Sequence, residues 1–313
     1  MNPKIHPFTL RQLQYIVAVA DLRSFRGAAE RCHVSQPSLS AQVAQCEDLL
    51  GVRLFERTRR RVEVTAAGEA LLARMREVLV LADDLVEAAS GLSDPLVGVV
   101  RVGAIPTVAP YLLPEVAPTL RAALPRLEVR WVEDKTASLV AHIGRGELDA
   151  AIVALEAELG DVEHAVLGLD PFVFAAAPDH PLARRRGKVR LDELDDEPVL
   201  LLDDGHCFRD QAIAACGSSA LKEASYRATS LQTLVQMAAQ GHAVTLLPCL
   251  AVPLENRRGD LKIRAIGPKA PSRTLALVWR RGSSRRPTFE ALAEAMASAY
   301  PRVVEAARGS ITG

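Results

Sequence analysis

Membrane-spanning segments and a disulfide framework are both missing from this sequence. No uninterrupted apolar run reaches the roughly 20 residues that cross a bilayer, and the first run, residues 15–20, has no signal-peptide character. Five cysteines in 313 residues are too few for a disulfide scaffold, and the odd number leaves at least one thiol unpaired. We therefore expect a cytoplasmic protein without membrane contact, where stable disulfides are rare and sensing ones are the usual exception.

The sequence also has no excess of either charge. Its 38 basic and 38 acidic side chains give a formal net charge of zero, so any contact with nucleic acid has to come from a local basic cluster. Hydrophobic residues make up 49% of the chain, the ordinary share for a globular protein, and the length allows two or three domains with separate cores.

Helical periodicity dominates the first 65 residues. Two short amphipathic helices are indicated by apolar residues at helical spacing: Leu13, Ile16, Val17 and Ala20, then Phe25, Ala28, Ala29 and Cys32. Ser35 can cap a third helix, whose first turn accepts Pro37. The buried stripe predicted for this third helix is Leu39, Val43, Cys46 and Leu50.

The polar residues of the third helix form a candidate DNA-binding surface. This surface comprises the cap residue Ser35 and the first-turn Pro37, together with the polar residues Gln36, Ser38, Ser40 and Gln42. Small and amide side chains suit base edges and phosphates, although an ordinary solvated face has the same composition. A basic cluster downstream, Arg53, Arg57, Arg59, Arg60 and Arg61, surrounds the alternating residues 62–64. It is typical of a winged helix-turn-helix, whose wing reaches the phosphate backbone, and favours DNA binding.

A long helix is predicted from residue 66 to about residue 90. Its apolar residues repeat with the 3.5-residue period of a coiled coil: Leu71, Met75, Val78, Ala82, Leu85 and Ala89. This stripe either pairs two chains or packs on its own chain. We favour dimerisation through a linker helix over residues 66–92, which ends at the helix-breaking residues 91–95.

Apolar strand candidates alternate with helical stretches over the rest of the chain. They fall at residues 97–102, 127–132, 148–153, 172–177, 199–202, 244–247 and 275–279. This alternation predicts an α/β architecture in which helices cover largely parallel sheets. Ligands in such folds bind at the carboxyl ends of the strands.

Cys207 and Cys216 lie nine residues apart in a segment with a helical pattern. A helix would hold their Cα atoms about 13 Å apart on opposite faces, whereas a disulfide tolerates about 7 Å. A bond between them would therefore require the helix to unwind, as in a redox switch. The alternative is that Cys216, among alanines, is an ordinary buried residue.

The position of Cys207 favours the redox hypothesis. It follows residues 203–206, which read as a loop entering a helix, and a helix N-terminus favours the thiolate. His206 and Arg209 are available as neighbouring cations. Peroxide would oxidise such a thiolate to a sulfenic acid, with which Cys216 could condense.

Several motifs in the first 68 residues carry a family resemblance. They cover residues 25–30, 34–40, 49–57 and 65–68. In them the chain resembles the LysR-type transcriptional regulators. The resemblance implies a winged helix-turn-helix over residues 1–65, dimers or tetramers, and an effector region of two hinged α/β subdomains like periplasmic binding proteins. Subdomain I would comprise residues 96–168 and 274–313, and subdomain II residues 169–273.

The resemblance extends to the peroxide-sensing members of that family. It is carried by residues 105–114, 200–212, 227–231 and 246–248, with Cys216. It implies that Cys207 attacks peroxide and Cys216 resolves the product. The residues that it assigns to peroxide binding or thiolate support are Thr107, Thr136, His206, Asp210 and Arg273. Cys32 and Cys46 are predicted to be structural, and Cys249 either packs in the core or acts as a third thiol.

The functional hypothesis is a homotetrameric regulator that binds promoter DNA and senses hydrogen peroxide, controlling antioxidant genes. RNA polymerase and a thioredoxin or glutaredoxin reductant are its further expected partners, and no cofactor or metal is expected. It would not be an enzyme. Two alternatives stay open: a LysR-type regulator of a small metabolite, whose response would survive Cys207→Ser, and a thiol peroxidase, which would need no DNA-binding domain.

Overall fold

A computed structural model of the chain describes residues 6–57, 61–91, 94–215, 222–241, 243–267, 270–309 and 311. The chain divides into two compact units, residues 1–89 and 90–313. The elements of the first unit are α1 (Leu10–Leu22), α2 (Phe25–Arg31), α3 (Gln36–Leu50), β1 (Phe55–Arg57), β2 (Val62–Val64) and α4 (Ala66–Gly91). β1 and β2 pair antiparallel and form the predicted wing.

Side-chain caps fix the ends of the first three helices. Thr9 and Gln12 form a capping box at α1, and Ser24 caps α2. Ser35 accepts a hydrogen bond from the backbone N–H of Ser38 at the start of α3, as its sequence position predicts. Leu39, Val43 and Cys46 of α3 are buried in the core of the first unit, and Leu50 of the same helix packs half-buried against that core.

Glu47 anchors the start of the wing. Its side chain is 2% exposed, and its Oε1 accepts hydrogen bonds from the backbone N–H groups of Leu54 (2.7 Å) and Phe55 (3.1 Å). Arg53 pairs with its other oxygen at 3.3 Å. A buried carboxylate is stable only with such partners. The pattern of apolar residues did not indicate this role.

The apolar stripe of α4 changes environment along the helix. Leu72 and Met75 are buried in the core of the first unit, and Leu71 packs against it. Further along, Val78 is 40% exposed and Leu85 is 73% exposed. The first part of the predicted stripe therefore packs on its own chain, whereas its later part, at Val78 and Leu85, faces outward.

The second unit is a mixed α/β structure. In chain order its elements are β3 (Gly98–Ala104), α5 (Ala109–Ala123), β4 (Leu127–Glu133), α6 (Thr136–Gly144), β5 (Ala150–Ala154), β6 (Val162–Ala176), α7 (Pro181–Arg184), β7 (Pro198–Leu202), α8 (Cys207–Ala215), β8 (Lys222–Ala228), α9 (Leu231–Ala239), β9 (Val244–Pro248), α10 (Val252–Glu255), β10 (Lys262–Ala265), β11 (Ser272–Arg280) and α11 (Arg286–Gly309). The sheet order is β4-β3-β5-β11-β6-β9-β7-β8, and β10 also pairs with β6.

The long strand β6 joins two halves of this sheet. Up to Pro171 it pairs with β11, and from Phe172 it pairs with β9. Parallel strands β3, β4 and β5 lie on one side, and parallel strands β7, β8 and β9 lie on the other. We call these the first and the second half of the sheet. In both halves, the carboxyl ends of the parallel strands lead into loops, and these loops carry most of the predicted redox residues.

The predicted α/β class with an N-terminal winged helix-turn-helix and a long linker helix is confirmed. The expectation of largely parallel sheets is wrong, because β6 and β11 run antiparallel to each other and to their other neighbours. Strands β8 and β10 were not predicted, since the alternating polar residues of β8 and the shortness of β10 give no apolar run.

Among the described residues, no helix has both the length and the apolar character needed to cross a membrane.

Replacing Glu47 by alanine should strongly destabilise the first unit. Two buried N–H groups would lose their acceptor, which costs at least about 2 kcal/mol of unfolding free energy. Glu30→Ala is the matched control, because Glu30 makes an exposed ion pair with Arg26, worth about 0.3–0.5 kcal/mol. Calorimetry of the full chain, with hydrogen exchange of the α3 amides to assign the transition, measures both. Equal effects would contradict this role.

Candidate functional site

Cys207 is the first residue of α8, directly after the loop that follows β7. Phe208 and Ala212 are buried and anchor the helix in the core. The ring of Phe208 meets that of Phe172 edge to face, with centroids 4.9 Å apart. Gly205 has φ +86°, a left-handed conformation that favours glycine at the turn into the helix. The predicted helix is therefore present from Cys207 to Ala215, with its N-terminus at the thiol.

Cys207 shares a small cavity with three other predicted site residues. The cavity is lined by Ile105, Pro106, Thr107, Lys135, Thr136, Gly205, His206 and Cys207. Thr107 follows β3, and Thr136 begins α6 after β4. The cavity thus lies between the first half of the sheet and α8 of the second half. No water-sized sphere fits between its walls, so a peroxide molecule would have to displace them slightly.

The two threonine hydroxyls of this cavity have different environments. Thr107 is 3% exposed, and its hydroxyl oxygen accepts a hydrogen bond from Nη1 of Arg273 at 2.7 Å. Thr136 is 6% exposed, and its hydroxyl has no hydrogen-bond partner among the described residues. A buried hydroxyl without a partner is costly. The hydroxyl of Thr136 is therefore available to a small polar molecule.

Arg273 is fully buried behind Thr107. Besides the hydroxyl, it donates to the backbone carbonyl of Thr107 at 2.9 Å. Its Nε and Nη2 atoms lie 3.0 and 2.8 Å from Oδ2 of Asp170, which is also 0% exposed. The guanidinium carbon lies 5.6 Å from the ring centroid of Phe208, within the range of a cation–π contact.

Asp170 was not predicted from the sequence. It lies in β6, and its Oδ1 accepts a hydrogen bond from the backbone N–H of Leu250 at 3.1 Å. Burial raises the pKa of Asp170, while Arg273 and the backbone N–H groups of Leu250 and Cys249 oppose that shift. Two guanidinium nitrogens reach the same oxygen, Oδ2, and a cation so close favours the ionised carboxylate.

His206 is buried beside Cys207, with 6% exposure. Burial lowers the pKa of His206 below its ordinary value, and the nearby Lys135 ammonium adds to the effect, against the opposing charge of Asp203. A lowered pKa disfavours the charged imidazole at pH 7, so His206 is a weak source of positive charge beside the thiol. Lys135, absent from the sequence prediction, supplies a positive charge in the cavity wall and donates to the Asp204 carbonyl at 2.9 Å.

Arg209 also differs from the expectation. Its guanidinium binds both oxygens of Glu223, at 2.9 and 3.1 Å, and pairs with Asp204 at 3.0 Å. Arg227 bridges the same two carboxylates. Arg209 therefore fastens α8 to β8, and its charge is engaged by carboxylates.

Asp210 lies on the exposed side of α8, outside the small cavity. With Cys207 and Gln211 it lines a neighbouring, more open cavity of about 730 Å³. The Gln211 amide is buried there without a hydrogen-bond partner in the described part of the chain. The structure thus brings Thr107, Thr136, His206 and Cys207 together, with Arg273 behind Thr107 and Asp210 on another side of the thiol.

His206 also lines a wider cleft, which adjoins the small cavity. It has a volume of about 740 Å³, and its lining includes Tyr111, Glu133, Lys135, Ser230 and Glu255. The Tyr111 hydroxyl donates to Glu255 across it at 2.7 Å. This cleft is large enough for a small metabolite.

The other described cysteines are packed thiols. Cys249 is 0% exposed. Burial raises its pKa to about 11, and Asp170 contributes to the shift. Burial also raises the pKa of Cys46, which is buried, and of Cys32, which is half-buried. A thiol with a raised pKa is a poor nucleophile at neutral pH, so these positions favour packing.

The predicted DNA-contacting residues of α3 lie on or near the surface. Ser35, Gln36, Pro37 and Ser38 are exposed or nearly so at its first turn, whereas Ser40 and Gln42 are half-buried. Arg57 ends β1 and Arg61 precedes β2. Arg59, Arg60 and Cys216 lie outside the described residues, so the Cys207–Cys216 pairing stays a prediction.

Two family models match this chain. "Bacterial regulatory helix-turn-helix protein, lysR family" matches residues 10–69, and "LysR substrate binding domain" matches residues 93–301. Together they define the class as a LysR-type transcriptional regulator, in line with the expectation that the chain is not an enzyme.

Individual relatives narrow the class. The chain is 45% identical over 289 residues to the "DNA-binding transcriptional dual regulator OxyR" of Escherichia coli, covering 92% of this chain and 94% of that protein. Full-length OxyR from Pseudomonas aeruginosa, in a cysteine variant, has a TM-score of 0.77 at 37% identity, covering 93% and 95% of the two chains. A peroxide-bound cysteine variant of Corynebacterium glutamicum OxyR has a TM-score of 0.66 at 37% identity, covering 99% and 100%. The chain therefore belongs to the OxyR group of the LysR family, as its motifs predicted.

The lowered pKa of His206 predicts a pH-dependent stability. Below the ordinary histidine pKa of about 6.5, the unfolded chain takes up a proton that the folded chain resists, so stability falls as pH falls. His206→Gln removes this contribution. Between pH 7.5 and 5.5, the melting temperature of the wild type should fall further than that of the variant. An identical decrease in the two proteins would show that His206 is not protected from protonation.

Proposed function

We propose that this chain is a DNA-binding transcriptional regulator that senses hydrogen peroxide by oxidation of Cys207. The observation that carries the proposal is the cavity shared by Cys207, Thr107 and Thr136, with Arg273 behind Thr107. Hydroxyls can donate to and accept from both oxygens of peroxide. The relatives named for peroxide induction support the same assignment.

The proposed chemistry is a two-electron oxidation of the sulfur. The Cys207 thiolate attacks one peroxide oxygen, and the O–O bond breaks. The sulfur keeps one oxygen as a sulfenic acid, and the other leaves as hydroxide, which takes a proton to become water. The Thr107 hydroxyl, which accepts from Arg273, is left to donate a hydrogen bond to the departing oxygen as its charge develops. The Cys216 thiol then attacks the sulfenic sulfur, forms the disulfide and releases the second water.

Disulfide formation would dismantle α8. From Cys207 to Ala215, α8 spans about 12 Å, more than the roughly 7 Å that a disulfide tolerates, and Phe208 and Ala212 hold this helix in the core. Unwinding would withdraw Phe208 from Phe172 and Arg273. The buried Gln211 amide, unpaired in the described structure, would gain access to water, which offsets part of the cost. We infer that this rearrangement changes how the subunits present their DNA-binding domains.

The DNA-binding assignment rests on the N-terminal unit. The exposed first turn of α3 includes Gln36 and Ser38, which suit a major groove, and Arg57 and Arg61 stand at the adjoining ends of β1 and β2, where a wing meets phosphates. We propose residues 1–65 as the DNA-binding domain, 66–92 as the dimerisation helix, 96–168 with 274–313 as subdomain I and 169–273 as subdomain II. β6 changes partners at residues 171 and 172, near the proposed boundary.

We further propose that the chain acts in the cytoplasm as a homotetramer. It would bind promoter DNA and contact RNA polymerase. Resetting the switch needs an outside reductant, for which a thioredoxin or glutaredoxin is suitable, because such dithiols exchange with disulfides through a mixed intermediate. Oxidation happens once in each sensing event.

The second candidate function is a response to a small metabolite in the 740 Å³ cleft. In that case peroxide would leave DNA binding unchanged, and Cys207→Ser would keep the response to the metabolite. The thiol peroxidase alternative loses its basis, because the family models match a regulator with a DNA-binding unit.

Peroxide should produce a Cys207–Cys216 linkage and alter the promoter footprint of the full chain. Cys207→Ser should abolish both, because no other described thiol combines partial exposure with a helix N-terminus. Cys249→Ser is the matched control and should keep both. Non-reducing mass mapping and footprinting in parallel give the measurement. If peroxide produces no Cys207–Cys216 linkage in the wild-type chain and leaves its footprint unchanged, the sensing proposal is wrong.

Substitution of Leu85 by lysine should weaken the dimer. Leu85 is 73% exposed on the outward part of the α4 stripe. A two-fold dimer interface along this stripe would bury one Leu85 from each chain, and each buried side chain would contribute about 1.5–3 kcal/mol to the free energy of association. The dissociation constant should therefore rise at least about tenfold. Asp83→Lys introduces the same residue on the opposite face of α4 and should leave the constant unchanged. Sedimentation velocity distinguishes the two, and unchanged dimerisation of the Leu85 variant would exclude this interface.

A further inference from the structure

We propose that Asp170 is a positioning residue for the reaction of Cys207 with peroxide, acting through Arg273 on the hydroxyl of Thr107. The inference rests on the proposed function and extends it to a residue outside the cavity wall. Asp170 does not line the cavity. It reaches the reaction through a chain of two hydrogen-bonded contacts.

Asp170 determines the direction of the guanidinium. Its Oδ2 engages Nε and Nη2 of Arg273, at 3.0 and 2.8 Å. With those two nitrogens held, the planar fork leaves Nη1 aimed at the Thr107 hydroxyl, 2.7 Å away. Because the hydroxyl oxygen accepts from Arg273, its own proton is free to turn towards the cavity. The orientation of Thr107 thus depends on a carboxylate on another strand.

Asp170 itself is held on both sides. Its Oδ1 accepts a hydrogen bond from the backbone N–H of Leu250 at the turn after β9, and the backbone N–H of Cys249 also lowers the energy of the carboxylate there. The carboxylate therefore links β6, β11 and that turn in one fully buried network. Such rigid support is what a positioning group needs, because a displacement of about 1 Å can cost 100-fold in rate.

A structural role alone would have a different signature. If Asp170 only stabilised the fold, its loss would change every reaction of Cys207 to the same extent. Peroxide reduction needs a donor to the leaving oxygen, whereas alkylation by iodoacetamide releases iodide, which needs none. The ratio of the two rates therefore separates positioning of Thr107 from general access to the sulfur.

The test compares Asp170→Asn with the wild-type full chain. The asparagine keeps one oxygen for the backbone N–H groups, but its NH₂ group would face the guanidinium. We expect the second-order rate of Cys207 oxidation by hydrogen peroxide to fall at least about tenfold. The iodoacetamide rate should change less than about threefold. Loss of the free Cys207 thiol, followed by mass spectrometry, measures both.

Asp149→Asn is the matched control. Asp149 is a half-buried aspartate whose side chain is 8% exposed. It pairs with Arg101 at 2.9 Å in the same unit but does not line the cavity. In the Asp149→Asn chain, the rates of Cys207 with peroxide and with iodoacetamide should both stay within about twofold of the wild type. An Asp170→Asn chain that is folded and retains the wild-type peroxide rate overturns the proposal. So does an equal loss of both rates.

Two further variants cover the case in which Asp170→Asn does not fold. The double variant Asp170→Asn/Arg273→Gln buries neither charge of the pair. In Arg273→Gln the buried Asp170 carboxyl can take up a proton, so that no lone charge is left there either. If Asp170 acts only through Arg273, both should react with peroxide equally slowly. A further slowing in the double variant would overturn the proposal. Failure of the wild type to oxidise at Cys207 would instead contradict the proposed function, so the two failures are distinguishable.

Discussion

The burial of one guanidinium is the constraint on which the redox site depends. Arg273 is 0% exposed in β11, and a charge in that position is tolerated only if it is paired and fully hydrogen-bonded. Asp170 from β6 and Thr107 from the loop after β3 supply the partners. Three separate parts of the chain must therefore meet at one place, next to the point where β6 changes partners. The geometry of the cavity follows from this requirement.

The thiol is placed by a second constraint, the packing of α8. Phe208 fixes the first turn by contacts with Phe172 and with the guanidinium of Arg273. The carboxylates of Glu223 and Asp204 hold the outer side of the helix through Arg209. The helix is thus bound to the core on one side and to β8 on the other. Unwinding of α8 would therefore alter the packing both in the core and at β8. Such a double effect is what a redox switch in this segment would need.

The sequence predicts the parts of this site that short motifs and periodicity determine. Cys207 at a helix start is predictable because residues 203–206 end the preceding strand with turn-forming side chains. The same applies to Ser35, whose capping role depends only on residues within one helical turn. The fold class follows from alternation of strands and helices. The antiparallel course of β6 and β11 does not, since it depends on pairings between residues about 100 positions apart.

Asp170 and Lys135 show where prediction from sequence fails. Nothing in the neighbourhood of Asp170 in sequence indicates that its partner is Arg273, 103 positions away. The sequence does not single out Lys135, because a lone lysine before a helix is usually solvated, yet folding places it in the cavity wall. The charge that it supplies also helps to keep His206 neutral. Only the tertiary structure reveals that the Lys135 side chain lies in the same cavity wall as His206.

The buried carboxylate also separates two thiols of the same unit. Asp170 adds to the burial that raises the pKa of Cys249 to about 11, so that this thiol stays protonated at neutral pH. Through Arg273 it acts in the opposite sense on peroxide chemistry, because it directs a donor at the Thr107 hydroxyl beside Cys207. A single negative charge would thus suppress a competing thiol while supporting the reactive one. Under the proposed function, burial and this charge together disfavour oxidation of Cys249 relative to Cys207.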